Sequence, residues 1–317
     1  MLSGSDDDVK PYVSVIIPYS RSAQAKVVLE KLVQQTYPAE LTEILLVGPN
    51  SSIIADQYRA RAIETVPIYY PGVARNIGAR SARGAYFLFL DDDCEPTLNW
   101  IEQNVHALAD PGIGAVGGQI AGKSKVFFAR CVDFSRFGFS QSNKPSVTWV
   151  CSASLGVKRS AFEDVQGFNE ELRSEEDIDF CFRLEQSGYK TLYQPAIKVL
   201  HDHRRTSFTA LMRYSYFYGR VSGLYVKRLY AKMSLRNALL TRVQHPLLYP
   251  LMMFPISLGA TINIMRLNIR EYPVIVFYAP FIFLSKVATH IGIWLWLLRG
   301  HAARPDTRRR LYRVSAK

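Results

Sequence analysis

The sequence predicts an α/β fold: a Rossmann-like, doubly wound and mostly parallel sheet, followed by interfacial amphipathic helices and a C-terminal pair of transmembrane helices. Three observations support this prediction. Short apolar runs alternate with segments of helical periodicity up to residue 203. The net charge of +12 is concentrated in residues 204–317, which hold 19 basic and two acidic side chains. Long apolar stretches with almost no charge lie within that same region.

The alternation begins with residues 12–18 (YVSVIIP), a β-branched run that is typical of a buried parallel strand. Further strand-like runs occupy residues 43–47, 85–90, 114–120 and 196–200. Helical spacing is found in residues 23–35, 73–83 and 97–108. Ligands of doubly wound sheets bind outside the carboxyl ends of the strands, so we expect a site directly after such runs.

Composition and cysteine spacing exclude several classes of protein. A hydrophobic content of 48% excludes a largely disordered chain. The four cysteines show no CxxC spacing, which indicates free thiols in a reducing compartment instead of a zinc site or a disulfide framework. Residues 1–11 begin with a polar segment that contains three consecutive aspartates, Asp6 to Asp8. We therefore expect a flexible acidic N-terminus without a signal peptide, and we expect it to stay in the cytosol.

Residues 204–243 contain nine basic side chains, no acidic one and many interleaved aromatics. A basic stretch beside long apolar runs favours amphipathic helices on an anionic membrane surface, and it argues against nucleic acid as the partner.

Residues 244–298 follow with two stretches that are long enough to span a bilayer. Residues 246–265 carry no charge, and residues 272–298 carry only Lys286. The basic tail at residues 299–317 is expected in the cytosol by the positive-inside rule. Because two crossings return the chain to its starting side, we expect two full spans. Arginines in the connecting loop leave a hairpin that dips into one leaflet as the alternative.

Three consecutive aspartates, Asp91, Asp92 and Asp93, follow the strand-like run at residues 85–90. Hard oxygen ligands at a strand end suit Mg²⁺ or Mn²⁺, which keep free positions for phosphate oxygens. The alternative is an acidic turn that caps the following helix.

Two later features contain further candidate ligands and bases. Residues 174–179 (SEEDID) precede apolar positions, and read alone they form a helix N-terminus whose acids complement the helix dipole. His201 and His203 follow the last strand-like run. A histidine in that position is structural or completes a metal site.

The order of these motifs resembles family 2 glycosyltransferases, which have the GT-A fold. The matching segments are residues 12–20 (YVSVIIPYS), 72–93 (GVARNIGARSARGAYFLFLDDD), 156–170 (GVKRSAFEDVQGFNE) and 174–201 (SEEDIDFCFRLEQSGYKTLYQPAIKVLH). The resemblance covers residues 12–203, the expected catalytic domain.

The resemblance implies a donor site for a nucleotide-diphosphate sugar. Asp93 and Asp91 then bind Mg²⁺ or Mn²⁺ together with His201, and Asp91 and Asp92 also lie against the donor. Arg75 and Asn76 occupy the place of polar contacts to the diphosphate, although Arg75 fits a surface helix equally well. The nucleotide pocket is assigned by position alone to Pro18, Tyr19 and Asn50.

On the acceptor side, the resemblance implies that Asp177 is the general base and that Glu176 orients the acceptor. One carboxylate base with in-line displacement implies inversion at the anomeric carbon. Trp149 is a candidate for stacking on a sugar, with a core position as its alternative. Two departures from the family pattern, at Ser20-Arg21 and at residues 48–51 (GPNS), leave the identity of the nucleotide open.

The sequence therefore predicts an inverting, metal-dependent glycosyltransferase at the cytosolic face of the cell (inner) membrane. We expect a lipid-linked or polysaccharide acceptor, as in cell-envelope biosynthesis, and no nucleic acid; an oligomer is compatible with this interpretation. The alternatives are a metal-dependent nucleotidyl- or phosphotransferase and a non-catalytic membrane scaffold of the same fold.

Overall fold

The computed structural model describes residues 10–20, 22–68, 70–138, 146–228 and 246–299. Predictions made for residues 1–9, 229–243 and 300–317 lie outside these ranges. Nine strands form one mixed sheet with the order β3-β2-β1-β4-β8-β6-β9-β5, and β7 pairs with β9 beside this path. The strands are β1 (Val13–Pro18), β2 (Thr42–Gly48), β3 (Arg61–Glu64), β4 (Tyr86–Leu90), β5 (Cys94–Pro96), β6 (Ile113–Gly122), β7 (Ser146–Val147), β8 (Ser154–Lys158) and β9 (Lys190–His201).

Ten α-helices are present in the described residues. They are α1 (Ser22–Val33), α2 (Ser52–Ala55), α3 (Pro71–Ser81), α4 (Trp100–Leu108), α5 (Phe127–Phe137), α6 (Arg159–Asp164), α7 (Glu176–Gln186), α8 (Phe208–Arg228), α9 (Tyr249–Asn268) and α10 (Ile275–Leu298). The predicted α/β fold is thereby confirmed.

Strand β1 lies between β2 and β4 in the parallel half of the sheet, and both of its faces are buried. Its Val15 and Ile17 contribute to an apolar cluster with α1 and α4, whereas Ile16 faces a second cluster with α3, α6 and α7. Burial on both faces explains why the run is continuously apolar instead of alternating. A methyl group on Gly78 of α3 would lie 2.4 Å from Ile16 Cγ2, so α3 packs closely on this strand.

Strand β8 reverses the direction of the sheet next to β4. It pairs antiparallel with β4, and Leu90 lies opposite Ser154. The carboxyl end of β4 and the amino end of β8 therefore meet at one edge. The backbone N–H of Asp91 donates a hydrogen bond to the Ala153 carbonyl oxygen across this junction, over 3.2 Å.

Helices α8, α9 and α10 follow the sheet; α10 packs against both α8 and α9, and all three contact α5. By length and composition α9 and α10 can each cross a membrane. Many of their apolar side chains are exposed, including Leu251 at 73% and Phe277 at 74%. Two long apolar helices with exposed apolar side chains indicate association with a membrane.

Candidate active site

A cavity opens at the edge where β4 ends and β8 begins. Its walls come from α3, the turn after β4, the loop before β8, the first turn of α7, the end of β9, and helices α5 and α8. The charged and aromatic lining residues are Arg75, Asp91, Asp93, Arg136, Phe137, Arg173, Glu175, Glu176, Asp177, His201, Arg205, Tyr214 and Tyr218. This is the edge at which the sequence predicts a site.

The pairing of β5 with β9 brings Asp93 next to His201. In that antiparallel pair Cys94 lies opposite His201. Asp93 Oδ1 is consequently 3.4 Å from His201 Nε2, and both side chains are buried. The ring of His201 also packs edge-on against Phe137, with the centroids 5.2 Å apart.

Arg75 links the two acidic motifs. Its Nη2 lies 2.6 Å from Asp91 Oδ1 and its Nη1 lies 2.6 Å from Glu176 Oε1. The residue is only 2% exposed. Burial opposes the charged form, yet the carboxylates of Asp91 and Glu176 outweigh it and raise the pKa of Arg75 above its ordinary value. The alternative of a surface helix arginine is wrong, because the side chain points into the site.

Glu176 and Asp177 begin α7, directly after Glu175, which adopts a left-handed backbone with φ of 62°. Asp177 Oδ2 accepts a hydrogen bond from the backbone N–H of Ser152 over 3.1 Å. Glu176 Oε1 accepts one from the Ser152 hydroxyl over 3.2 Å, besides its ion pair with Arg75. Burial raises the pKa of Glu176, while Arg75 acts in the opposite direction. Asp177 Oδ1 also accepts a hydrogen bond from the Ile178 N–H over 2.9 Å, but among the described residues no cation lies within 4 Å of this carboxylate, whereas Glu176 is paired with Arg75.

Asp93 and His201 lie close enough together to hold one divalent metal, whereas a metal contact of Asp91 stays a prediction. The Asp93 carboxylate, the Cys94 thiol and a His201 ring nitrogen all lie within 4.8 Å of one another. Burial and the neighbouring Asp93 raise the pKa of the Cys94 thiol well above its ordinary value. His201 Nδ1 is buried and has no hydrogen-bond partner in the described part of the chain. The carboxylate of Asp93 is a hard oxygen ligand of the kind that suits Mn²⁺ or Mg²⁺.

Asp92 points away from the cavity. Its Oδ2 accepts hydrogen bonds from the Ser20 backbone N–H over 2.6 Å and from the Ser20 hydroxyl over 3.1 Å, and the residue is 2% exposed. The prediction that Asp92 contacts the donor is therefore corrected, because its carboxylate fixes the segment after β1.

Asn76 is likewise a structural residue and not a donor contact. Its Nδ2 donates to the Phe168 carbonyl oxygen over 2.8 Å, and its Oδ1 accepts from the Phe168 N–H over 2.9 Å. Both ends of the amide thus hold the Gly167–Glu170 turn, which leaves none of it to face the cavity.

We expect Asn76→Ala to lower the free energy of unfolding by about 1–3 kcal/mol, because both backbone groups of Phe168 lose their buried partner. Urea denaturation measures this change. Gln57→Ala, which removes an exposed amide, is the control and should shift the unfolding free energy by less than about 0.5 kcal/mol. If Asn76→Ala left the stability unchanged but weakened nucleotide binding, Asn76 would have to be a contact to the donor.

Four other predicted contacts do not line the cavity. Pro18, Tyr19 and Asn50 lie at the carboxyl ends of β1 and β2, and the Tyr19 N–H donates to the Val47 carbonyl oxygen over 2.8 Å. Their role in a nucleotide pocket stays a prediction. Trp149 is half-buried and packs against the apolar cluster that contains α3 and α7, which is the core position named as its alternative.

Helices α5 and α8 contribute residues that the sequence did not reveal. The Arg136 guanidinium stacks on the Tyr218 ring at 3.9 Å, and the Arg205 guanidinium stacks on the Tyr214 ring at 4.0 Å. Within the described ranges, no carboxylate lies within ion-pair distance of either arginine. In the sequence, Arg205 is one of the nine basic residues of 204–243, and no local spacing marks either arginine.

Comparison with known proteins agrees with this geometry. Residues 14–165 match the family described as Glycosyl transferase family 2. The chain carries a family 2 glycosyltransferase domain. For residues 14–165, this match confirms the family that the motifs predict.

Two relatives and one solved structure illustrate the similarity. The pre-mycofactocin glycosyltransferase of Mycobacterium tuberculosis is 31% identical over 166 residues, which are 50% of this chain and 35% of that protein. The chain thus spans about a third of the length of this relative. Glycosyltransferase AglE of Haloferax volcanii is 28% identical over 225 residues, covering 66% of this chain and 72% of AglE.

The solved structure is the mannosyltransferase PcManGT from Pyrobaculum calidifontis in complex with GDP-Man and Mn²⁺. It superposes with a TM-score of 0.63 at 17% identity, over 93% of this chain and 89% of that chain. This likeness establishes the GT-A type of fold for the family 2 chain.

Proposed function

We propose that this family 2 chain is an inverting glycosyltransferase that transfers a sugar from a nucleotide-diphosphate sugar to a hydroxyl of a lipid-linked or glycan acceptor. The proposal places the reaction at the cytosolic face of the cell (inner) membrane. One observation carries it: a single cavity brings the metal-ligand set Asp91, Asp93 and His201 together with the carboxylate of Asp177.

The donor side of the cavity suits a diphosphate. Asp91, Asp93 and His201 would hold Mg²⁺ or Mn²⁺ there, and the bound metal supplies Lewis-acid stabilisation of the departing nucleoside diphosphate. Arg75 fixes the Asp91 carboxylate through its 2.6 Å contact, so that oxygen keeps one orientation. The Mn²⁺ and GDP-Man named for the similar structure support this choice of donor and metal.

Asp177 is proposed as the general base. The Ser152 N–H holds one of its oxygens, and the carboxylate faces the cavity without a paired cation in the described residues. It accepts the proton of the acceptor hydroxyl as that oxygen attacks the anomeric carbon. Glu176 is tied to Arg75 and Ser152, so it positions groups instead of exchanging protons. A single available base corresponds to one displacement and therefore to inversion.

The acceptor side supports an anionic, lipid-linked acceptor. Arg136 and Arg205 line the cavity with no carboxylate partner within the described ranges, so they can pair with a phosphate of the acceptor. Tyr214 and Tyr218 come from α8, which packs against the apolar helix α10. The cavity therefore adjoins the part of the molecule that we expect at the membrane.

A panel of nucleotide sugars with Mn²⁺ tests the donor site. The correct donor should raise the unfolding midpoint of the parent chain, since ligand binding adds RT ln(1 + [L]/Kd) to stability. Asp93→Asn should lose this shift and should also weaken Mn²⁺ binding by calorimetry at least about tenfold. The exposed-residue variant Asp56→Asn should behave like the parent chain. Full Mn²⁺ affinity in Asp93→Asn would contradict the assigned metal site.

A further inference from the structure

Helices α8, α9 and α10 form a three-helix layer whose directions can be read from their contacts. Helix α8 runs parallel to α10: Phe208 meets Phe281 with ring centroids 6.2 Å apart, and Gly219 lies so close to Thr289 that an added Cβ would be 1.9 Å from its carbonyl oxygen. Helix α9 runs antiparallel to α10, because the Tyr249 hydroxyl lies 2.6 Å from His290 Nδ1.

The turn between α9 and α10 touches the catalytic domain. Tyr272 packs against Phe134 of α5 with ring centroids 5.7 Å apart. Asn268 Nδ2, at the end of α9, donates to the Gly138 carbonyl oxygen over 3.0 Å. A turn carried to the far side of a bilayer cannot touch a helix of the catalytic domain. Two successive crossings by α9 and α10 are therefore incompatible with these contacts.

Helix α10 also remains beside the catalytic domain for half of its length. Lys286 Nζ donates to the Ser135 carbonyl oxygen over 2.5 Å, so α5 flanks α10 as far as Lys286. Only residues 287–298 lie beyond that contact, and they extend for about 18 Å at 1.5 Å per residue. The hydrocarbon core of a bilayer is about 30 Å thick.

Charge argues against the remaining arrangement, in which all three helices cross. Because α8 runs alongside α10, it would carry Arg213 and Arg220 into the hydrocarbon, where charged side chains are costly. The same arrangement would also move the basic residues of 227–242 and 299–313 to the far side. Translocation of so many arginines and lysines contradicts the positive-inside rule.

A layer that lies in the plane of the membrane satisfies all of these observations. The outer face of α9 presents Leu251, Phe254, Leu258 and Ile262 at spacings of three and four residues, each at least 42% exposed. A neighbouring stripe of the same helix, which includes Ser257, Thr261 and Ile264, is buried. Arg266 and Arg270 follow this apolar stripe at the C-terminal end of α9, where basic side chains can meet anionic headgroups.

We infer that α8, α9 and α10 are monotopic: the layer rests in the leaflet that faces the catalytic domain, with the outer face of α9 towards lipid, and no helix crosses the bilayer. The inference is independent of the donor and acceptor, so it can fail without the proposed function. Its partner is a lipid surface with anionic headgroups, which match the basic character of the sequence from residue 204 onward.

Cysteine labelling in membrane vesicles tests the inference. Full-length variants carry one added cysteine at Lys26 in the catalytic domain, at Arg270 in the turn or at Arg299 after α10, all three of which are exposed. Sealed inside-out and right-side-out vesicles are treated with a membrane-impermeant maleimide. The parent chain, whose natural cysteines are buried or half-buried, gives the background. Labelling in detergent confirms that each variant can react.

The monotopic layer predicts that all three cysteines label in the same vesicle orientation. Two crossings by α9 and α10 would place Arg270→Cys on the opposite side from the other two variants. Three crossings would place Arg299→Cys alone on the opposite side. Either of these patterns overturns the inference, and so does a cysteine that reacts in detergent but in neither vesicle orientation.

Discussion

Asp177→Asn is expected to reduce glycosyl transfer by about 10²–10⁴-fold, the usual contribution of a positioned general base. The amide keeps the shape of the side chain and can still accept the 3.1 Å hydrogen bond from the Ser152 N–H. It cannot take the proton of an acceptor hydroxyl. Donor binding should therefore stay near the level of the parent chain while kcat falls. Initial rates with the donor identified by the nucleotide-sugar panel measure the effect.

Glu185→Gln is the matched control for that variant. Glu185 lies on the same helix, α7, and is exposed to solvent. The substitution removes one negative charge from the same helix, and Glu185 does not line the cavity. Transfer should therefore remain close to that of the parent. If Asp177→Asn retained as much activity as Glu185→Gln, the base would have to be another group.

Arg75→Met is expected to lower the free energy of unfolding by about 3–5 kcal/mol, because it leaves the buried Glu176 carboxylate, and the partly exposed Asp91 carboxylate, without their cation. Arg75 is 2% exposed and contacts Asp91 and Glu176 at 2.6 Å each. Methionine fills much of the same volume, so the loss of unfolding free energy comes from the missing charge and not from a cavity. Transfer should also fall, since the Asp91 and Glu176 side chains lose their orientation.

Arg80→Met provides the control on the same helix. Arg80 has a 63% exposed side chain and a 3.5 Å ion pair with Glu170, so its loss should cost less than about 1 kcal/mol. Combining Arg75→Met with Glu176→Gln should recover part of the lost stability, because one stranded carboxylate is removed. Equal unfolding free energies for Arg75→Met and Arg80→Met would show that the buried ion pairs are not a stabilising centre.

The elements with strong local periodicity are those that the sequence predicts. Residues 12–18 and 85–90 become β1 and β4 because strands buried on both faces are continuously apolar. Short elements such as β3 and β5 lack such a pattern, since a strand of three or four residues at an edge buries few side chains. They appear only when the neighbouring strand supplies their hydrogen-bond partners.

The sequence by itself determined the class of chemistry: three aspartates after a buried strand, an acidic pair at a helix start and a histidine after the last strand. Tertiary structure alone decided which of these side chains meet. Arg75 and Glu176 are 101 positions apart and touch, whereas Asp92 sits inside the motif and turns away to Ser20. It also decided that the turn between the two apolar helices faces the catalytic domain. The physical reason is that periodicity records which face of an element is buried, whereas contacts between distant side chains depend on the order and direction of the strands that carry them.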